Sequence, residues 1–201
     1  ILDSINYAKR IQGAILPPLS LIRNGLPDAS ILFMPKDIVS GDFYWYERKD
    51  HDIFFAAADC TGHGIPGAMV SVVGINGLNR IVNEFGLTDP GEILDALSDF
   101  VEETFEKSQE EVKDGMDITL CKYNTLSGEL TFSGANNSLY HVSEGRLSEY
   151  KVNRQPIGKH DYREPFTTHV ILPKKGDSIY CYSDGYADQF GGQKGKKLKY
   201  K

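Results

Sequence analysis

The chain has 201 residues, 40% of them hydrophobic and 25% charged, with a formal net charge of −6 at pH 7. That length supports one well-buried domain without requiring two, and the composition is that of an ordinary globular protein. The excess of acid excludes nucleic acid as the main partner, because a phosphate backbone demands a basic face.

Cys60, Cys121 and Cys181 are widely spaced and form no C-x-x-C pair. That pattern fits a reducing cytoplasm and no disulfide framework. No apolar run reads as long enough to cross a bilayer, and no signal peptide is visible. The sequence opens on Ile1 rather than Met, which reads as a piece excised from something longer.

Residues 1–16 predict an amphipathic helix. Ile1, Ile5, Ala8 and Ile15 recur at close to a 3.5-residue spacing, with Ile11 beside them, and Pro17-Pro18 ends it. This reads as the tail of a coiled coil or linker helix entering the domain, or as a helix packed on its own domain. Two strand-like runs follow, Ser30 to Pro35 and Phe43 to Tyr46, with Gly41 between them suited to a bulge or a close backbone approach.

Ile53 to Ala58 is an unbroken apolar run of the right length for a strand buried on both faces. It meets Asp59, then a glycine-rich corner (Thr61, Gly62, His63, Gly64), and beyond it the period becomes helical as far as Phe85. A carboxylate at the end of a dry strand is costly unless something pairs with it. A divalent cation is the most economical partner, and the free N–H groups of the helix that follows can face an anion such as phosphate. The alternative is an ordinary turn in which Asp59 caps that helix.

Asp89-Pro90-Gly91-Glu92 starts a second helix, with Asp89 as N-cap, Pro90 at N1 and Glu92 at N3. Ile93, Leu94, Leu97, Phe100, Val101 and Phe105 make its apolar stripe. From Met116 the pattern turns to strands (MDITLCKYN, GELTFSG, NSLYHVS, RLSEY, PFTTHVIL, DSIYCYS) separated by turn signals. The whole is α+β with mainly antiparallel sheet. The basic end, Lys194 to Lys201, reads as a solvated tail.

Three acids sit at strand-to-loop junctions beside small residues: Asp42 in SGD, Asp59 in ADC and Asp184 in SDG. Hard cations such as Mg²⁺ and Mn²⁺ take oxygen ligands and keep several waters, so carboxylates converging from different strands would suit a pair of them. In order, the motifs SINYAKRIQGAILP, SGDFYW, ADCTGHGIPGAMVS, DGMDITL, FSGANNSLY, QPIG and YSDGYAD resemble the metal-dependent serine/threonine phosphatases (PPM, or type 2C), in their bacterial SpoIIE-type branch. The resemblance runs from about Ile5 to the end.

It implies an α-β-β-α sandwich of two mainly antiparallel sheets flanked by helix pairs, holding two Mn²⁺ or Mg²⁺ ions. It implies Asp42, Asp59 and Asp184 as catalytic metal ligands, Asp59 as the bridge, and the backbone carbonyl of Cys60 as a further ligand. His63 stands where relatives place a proton donor to the leaving alcohol, though the spacing from Asp59 is longer here; a packed or solvent-facing histidine is the alternative. Lys36 is the candidate to grip phosphate, since the arginine used elsewhere in the family has no clear counterpart.

The family's last acid, in a DD-x-T-like motif, is absent before Lys201, so the expectation is a domain lacking its C-terminal segment and poorly active as such. Residues 1–18 are then a linker or signalling helix and residues 19–201 the phosphatase domain. The implied function is dephosphorylation of a phosphorylated STAS-domain partner, as the output of a sensor domain upstream in the same chain. The implied place is the cytoplasm, including the cytoplasmic side of a membrane-anchored sensor, with a homodimer through the N-terminal helix. The competing reading is a non-catalytic partner-binding module with an incomplete metal site. A Cys60 phosphatase lacks the nearby arginine it needs, and a zinc site on Cys60 and His63 lacks two further ligands.

Overall fold

The computed structural model describes residues 2–106, 114–191 and 195–197. Two helices, α1 (Leu2–Ile15) and α2 (Leu19–Gly25), precede a hairpin of β1 (Phe43–Lys49) and β2 (Asp52–Cys60). Helices α3 (Gly64–Asn83) and α4 (Pro90–Glu106) follow. Then come β3 (Met116–Asn124), β4 (Leu130–Ala135), β5 (Leu139–Ser143), β6 (Arg146–Tyr150), β7 (His169–Ile171) and β8 (Ser178–Tyr180). A 3₁₀ turn at Asp184–Tyr186 leads to a two-residue ribbon of β9 (Phe190–Gly191) and β10 (Lys196–Lys197).

A five-stranded sheet runs in the order β1-β2-β3-β4-β7, and a three-stranded sheet in the order β6-β5-β8. Every strand pair within them is antiparallel. Alternation sorts the side chains of the larger sheet. On one face Phe43, Trp45, Phe54, Ala56, Ala58, Met116, Ile118 and Leu120 pack with the apolar sides of α3 and α4. On the other, Cys121, Phe132 and Leu130 meet Leu139, Ile179 and Cys181 of the smaller sheet. The unbroken apolar run in β2 follows directly, since both its faces are covered and both its edges are paired. The result is the helix-backed double sheet expected of an α-β-β-α sandwich.

The helix at 90–106 begins as its sequence predicts. Asp89 Oδ1 accepts the N–H groups of Gly91 at 2.9 Å and Glu92 at 3.2 Å, which is the geometry of an N-cap. Ile93, Leu94, Leu97 and Val101 of its stripe are fully buried.

Four expectations are corrected. The run from Ser30 to Pro35 is extended but pairs with no strand among the described residues. Phe33 packs edge-on against Tyr44 while Leu32 and Met34 face solvent, so the alternation is real and the ladder is missing. On α1 the inward face is Ile5, Ala8 and the buried Gln12, whereas Ile11 and Ile15 are exposed. A third correction concerns α3, which is long and apolar enough by length and composition to cross a membrane. Its Val70, Ile75, Leu78, Ile81 and Val82 are instead buried in the domain core. Within the basic end, Lys196 and Lys197 pair with Gly191 and Phe190, and Lys197 bonds Asp188; Lys194 and residues 198–201 lie outside the described residues.

Candidate metal centre

Register builds the site. Phe43 of β1 stands opposite Ala58 of β2, so Asp42, one residue earlier, continues that pairing toward Asp59. Asp59 in turn stands opposite Asp117 of β3. By alternation all three fall on the face opposite Phe43, Ala58 and Ile118, which is the face turned to the second sheet. Asp184 reaches the same place from the far side of the sandwich, at the start of the 3₁₀ turn after β8. Ser183 beside it donates a 2.6 Å hydrogen bond to Asp42 Oδ2 across 141 residues of sequence. Asp42, Asp59 and Asp184 thus meet at one end of the sandwich.

Electrostatics expose the strain of that meeting. Burial, then the charges of Asp42 and Asp184, then side-chain hydrogen bonds to both push the Asp59 carboxyl up to about 8. Each of the charged groups acting on it is another acid. Asp117 is also raised, by burial first and by Asp184 in addition, against a 2.7 Å hydrogen bond from Asn136 that lowers it. The Cys60 thiol is driven far up by burial and by Asp59, Asp42 and Asp114, so it is no nucleophile.

Glycines shape the wall behind these acids. A Cβ on Gly41 would sit 2.8 Å from the Gly62 carbonyl oxygen and 3.3 Å from that of Cys60. One on Gly67 would sit 2.5 Å from the same Gly62 oxygen. The expected close approach at Gly41 is therefore present, and it lets the backbone carbonyls of Cys60 and Gly62 crowd against the loop that carries Asp42. Gly62 has a φ of +82°, a left-handed turn that a side chain would strain. Thr61 fastens the corner to the loop before β3, its N–H bonding Gly115 O at 2.9 Å and its hydroxyl bonding Asp114 Oδ1 at 2.8 Å.

The other candidates fall outside the cluster. His63 is the N-cap residue of α3, its side chain 78% exposed and its Nδ1 2.9 Å from Asp37 Oδ2. Among the described residues no hydrogen bond or ion pair joins it to the three aspartates, and Lys36 is exposed beside Asp37 in sequence. Asp59 does not cap α3, whose N-terminus has no side-chain cap. Its first-turn N–H groups are thereby left open to an anion.

Two residues at the site escaped the sequence reading. Asp117 lies in the DGMDITL motif yet reads there as the polar member of an alternating strand. Gln12 of α1 grips the loop before Asp42. Its carboxamide accepts the Ser40 N–H at 2.9 Å, donates to the Ser40 carbonyl at 2.6 Å and reaches Ser71 Oγ of α3 at 3.1 Å. A glutamine buried among helix positions with an isoleucine and an alanine was the available signal.

The donor set fits a hard divalent cation: carboxylate and carbonyl oxygens, with acids as the charged groups acting on Asp59. Among the described residues, no three His, Cys, Asp or Glu side chains already surround one point as a ready metal shell.

Comparison with known proteins agrees with this geometry. The family described as Stage II sporulation protein E (SpoIIE) matches residues 49–199. Phosphoserine phosphatase RsbU of Bacillus subtilis (strain 168) is 26% identical over 169 residues, which is 80% of this chain and 47% of that relative. The chain thus spans about half the length of that curated relative. The SiaA-PP2C domain of Pseudomonas aeruginosa is 30% identical, with a TM-score of 0.87 over 98% of this chain and 77% of the other. The PP2C phosphatase domain of the cell fate determinant SpoIIE from Bacillus subtilis shares the fold at a TM-score of 0.60 and 18% identity, over 74% of this chain and 41% of that one. Helix-backed sandwich, carboxylate cluster and matched sequence agree: the chain belongs to the SpoIIE family of type 2C (PPM) phosphatase domains.

Proposed function

We propose that this chain carries the catalytic domain of a metal-dependent phosphatase acting on phosphoserine or phosphothreonine of a STAS-domain partner. The observation that carries the reading is the Asp59 carboxyl, wedged between Asp42 and Asp184 with acids alone for charged neighbours. Asp42, Asp59, Asp184 and the Cys60 carbonyl would hold two Mg²⁺ or Mn²⁺ ions. When bound, such ions neutralise phosphate oxygens and provide an activated water at neutral pH.

The chain's own residues do the rest. Asp59 would have to be ionised to hold them, which would link their affinity to pH. Ser183 holds Asp42 in one orientation, so the acid from the first sheet is fixed by the segment that brings the acid of the second. Gly41, Gly62 and Gly67 let the backbone close around the site, and the uncapped start of α3 offers N–H groups to the phosphate. His63 sits at that helix start, ion-paired to Asp37 rather than to the cluster. In the same reading α1 links an upstream sensor to the domain, on the cytoplasmic side of any membrane anchor, and its exposed Ile11 and Ile15 serve pairing with a second copy.

Turnover of p-nitrophenyl phosphate and of a phosphoserine STAS protein with Mn²⁺ titrated in tests the proposal. The expected result is metal-dependent hydrolysis by the full-length protein, lost in Asp59→Asn, with weak turnover at most by residues 1–201 alone. One observation favours the rival partner-binding module, namely the absence of a ready three-donor shell among the described residues. No hydrolysis at any Mn²⁺ concentration, together with retained binding of the phosphorylated partner, would establish that rival.

A further inference from the structure

Cys121 and Cys181 play no part in the site just described, yet their sulfurs stand 3.6 Å apart. Both are free thiols, separated by 60 residues of sequence. Cys121 is fully buried on the inner face of β3, opposite Phe55 of β2. Cys181 follows β8 on the other sheet and is half-buried. The pair therefore spans the sandwich from one sheet to the other, within the cluster of Leu130, Phe132, Leu139 and Ile171. A disulfide needs the sulfurs at about 2.05 Å, so the gap left to close is about 1.5 Å.

We infer that Cys121 and Cys181 form a reversible redox pair, which a peroxide oxidises to a disulfide joining the two sheets. The order of events follows from access. The Cys181 sulfur, on the less buried residue of the two, attacks one oxygen of hydrogen peroxide; the O–O bond breaks, and water leaves with the thiol proton, giving a sulfenic acid. The Cys121 sulfur then attacks the Cys181 sulfur. The S–O bond breaks, the S–S bond forms, and a second water departs with the Cys121 proton. Two electrons pass from the two sulfurs to one peroxide. Cys121 does not start the sequence, because full burial and the neighbouring thiol hold its own ionisation well above the usual thiol range.

The bond would fasten the segment that carries Ser183 and Asp184, two and three residues beyond Cys181, to the middle of the first sheet. It would also close a loop of about 60 residues in the unfolded chain. By the chain-entropy relation that lowers the unfolding equilibrium constant on the order of a thousandfold, less any strain in the folded state.

The test uses the intact chain, reduced and then exposed to mild hydrogen peroxide, with thiols counted after denaturation and peptides mapped by mass spectrometry. The expected result is loss of two of the three thiols, a dithiothreitol-sensitive peptide joining Cys121 to Cys181, and a higher urea midpoint for the oxidised protein. Cys181→Ser should keep both of its thiols under the same treatment and show no midpoint shift. Because Cys181 lies at the half-buried rim, that variant keeps the test open where Cys121→Ser fails to fold. Sulfinic acid at Cys181 with Cys121 still free, a link involving Cys60, or a disulfide between two chains would each overturn the inference. None of these readouts depends on phosphatase activity.

Discussion

Replacing Asp59 by Asn tests whether the carboxylate cluster is an electrostatic load on the metal-free protein. The Asp59 carboxyl rises from 3.8 to about 8, chiefly through burial and then through Asp42 and Asp184. A folded-state value above the unfolded one means that stability is full below about 4 and is lost as pH climbs toward 8. Taken at face value, about 4 units at about 1.36 kcal/mol each amount to roughly 6 kcal/mol. Asp59 is only partly buried, however, and water screens repulsion at such a site, which leaves about 1–3 kcal/mol. Asparagine keeps the shape and one acceptor but cannot ionise. In urea titrations with EDTA at pH 5, 6.5 and 8, wild type should therefore lose about 1–3 kcal/mol more than Asp59→Asn as pH rises. Saturating Mn²⁺ should restore the wild type at pH 8 and move the variant far less, since the variant lacks the carboxylate set between Asp42 and Asp184. Parallel pH profiles for the two proteins, with or without EDTA, would refute the reasoning.

Three further outcomes are expected. Gln12→Ala removes two hydrogen bonds to Ser40 and one to Ser71 and leaves the Ser40 groups unsatisfied; it should cost about 2 kcal/mol in urea unfolding and weaken Mn²⁺ binding by calorimetry. Gly67→Ala forces a Cβ to within 2.5 Å of the Gly62 carbonyl oxygen, so a loss of about 1–3 kcal/mol is expected in thermal melts, against little change for the unobstructed Gly13→Ala. Ile11→Glu changes an exposed position of α1 and should shift a dimer to monomer in light scattering while leaving the monomer's urea midpoint unchanged within about 0.5 kcal/mol.

The carboxylate cluster was legible wherever chemistry and chain order coincide. Asp59 follows an apolar strand and precedes a glycine corner, so local period alone marks it, and Asp42 and Asp184 carry the same small-residue signature. Asp117 does not. In MDITL it occupies the polar half of an ordinary alternation, and only the strand register that sets it opposite Asp59 gives it a place at the site. Gln12 was hidden for a similar reason, because a periodicity argument counts apolar residues and passes over a glutamine whose partners lie 28 and 59 residues away. The Cys121–Cys181 pair is non-local in the same way. Sequence spacing indicated three isolated thiols, while the sandwich puts two of them in contact. The Ser30–Pro35 run shows the opposite failure. Its alternation was correctly seen, but a strand is defined by a neighbour, and no local pattern reports whether one is present.

The bond from Ser183 to Asp42 has a consequence for how the protein is made. It joins residues 141 positions apart, so translation reaches Asp184 only after the helices and most of both sheets have left the ribosome. A nascent chain can assemble its α3–α4 layer and the β1–β2 hairpin early, from local contacts that form quickly. It cannot bring the third aspartate to the first two until all the strands of both sheets have been synthesised. Whatever chemistry the cluster performs is therefore withheld from every chain that stops short of Asp184.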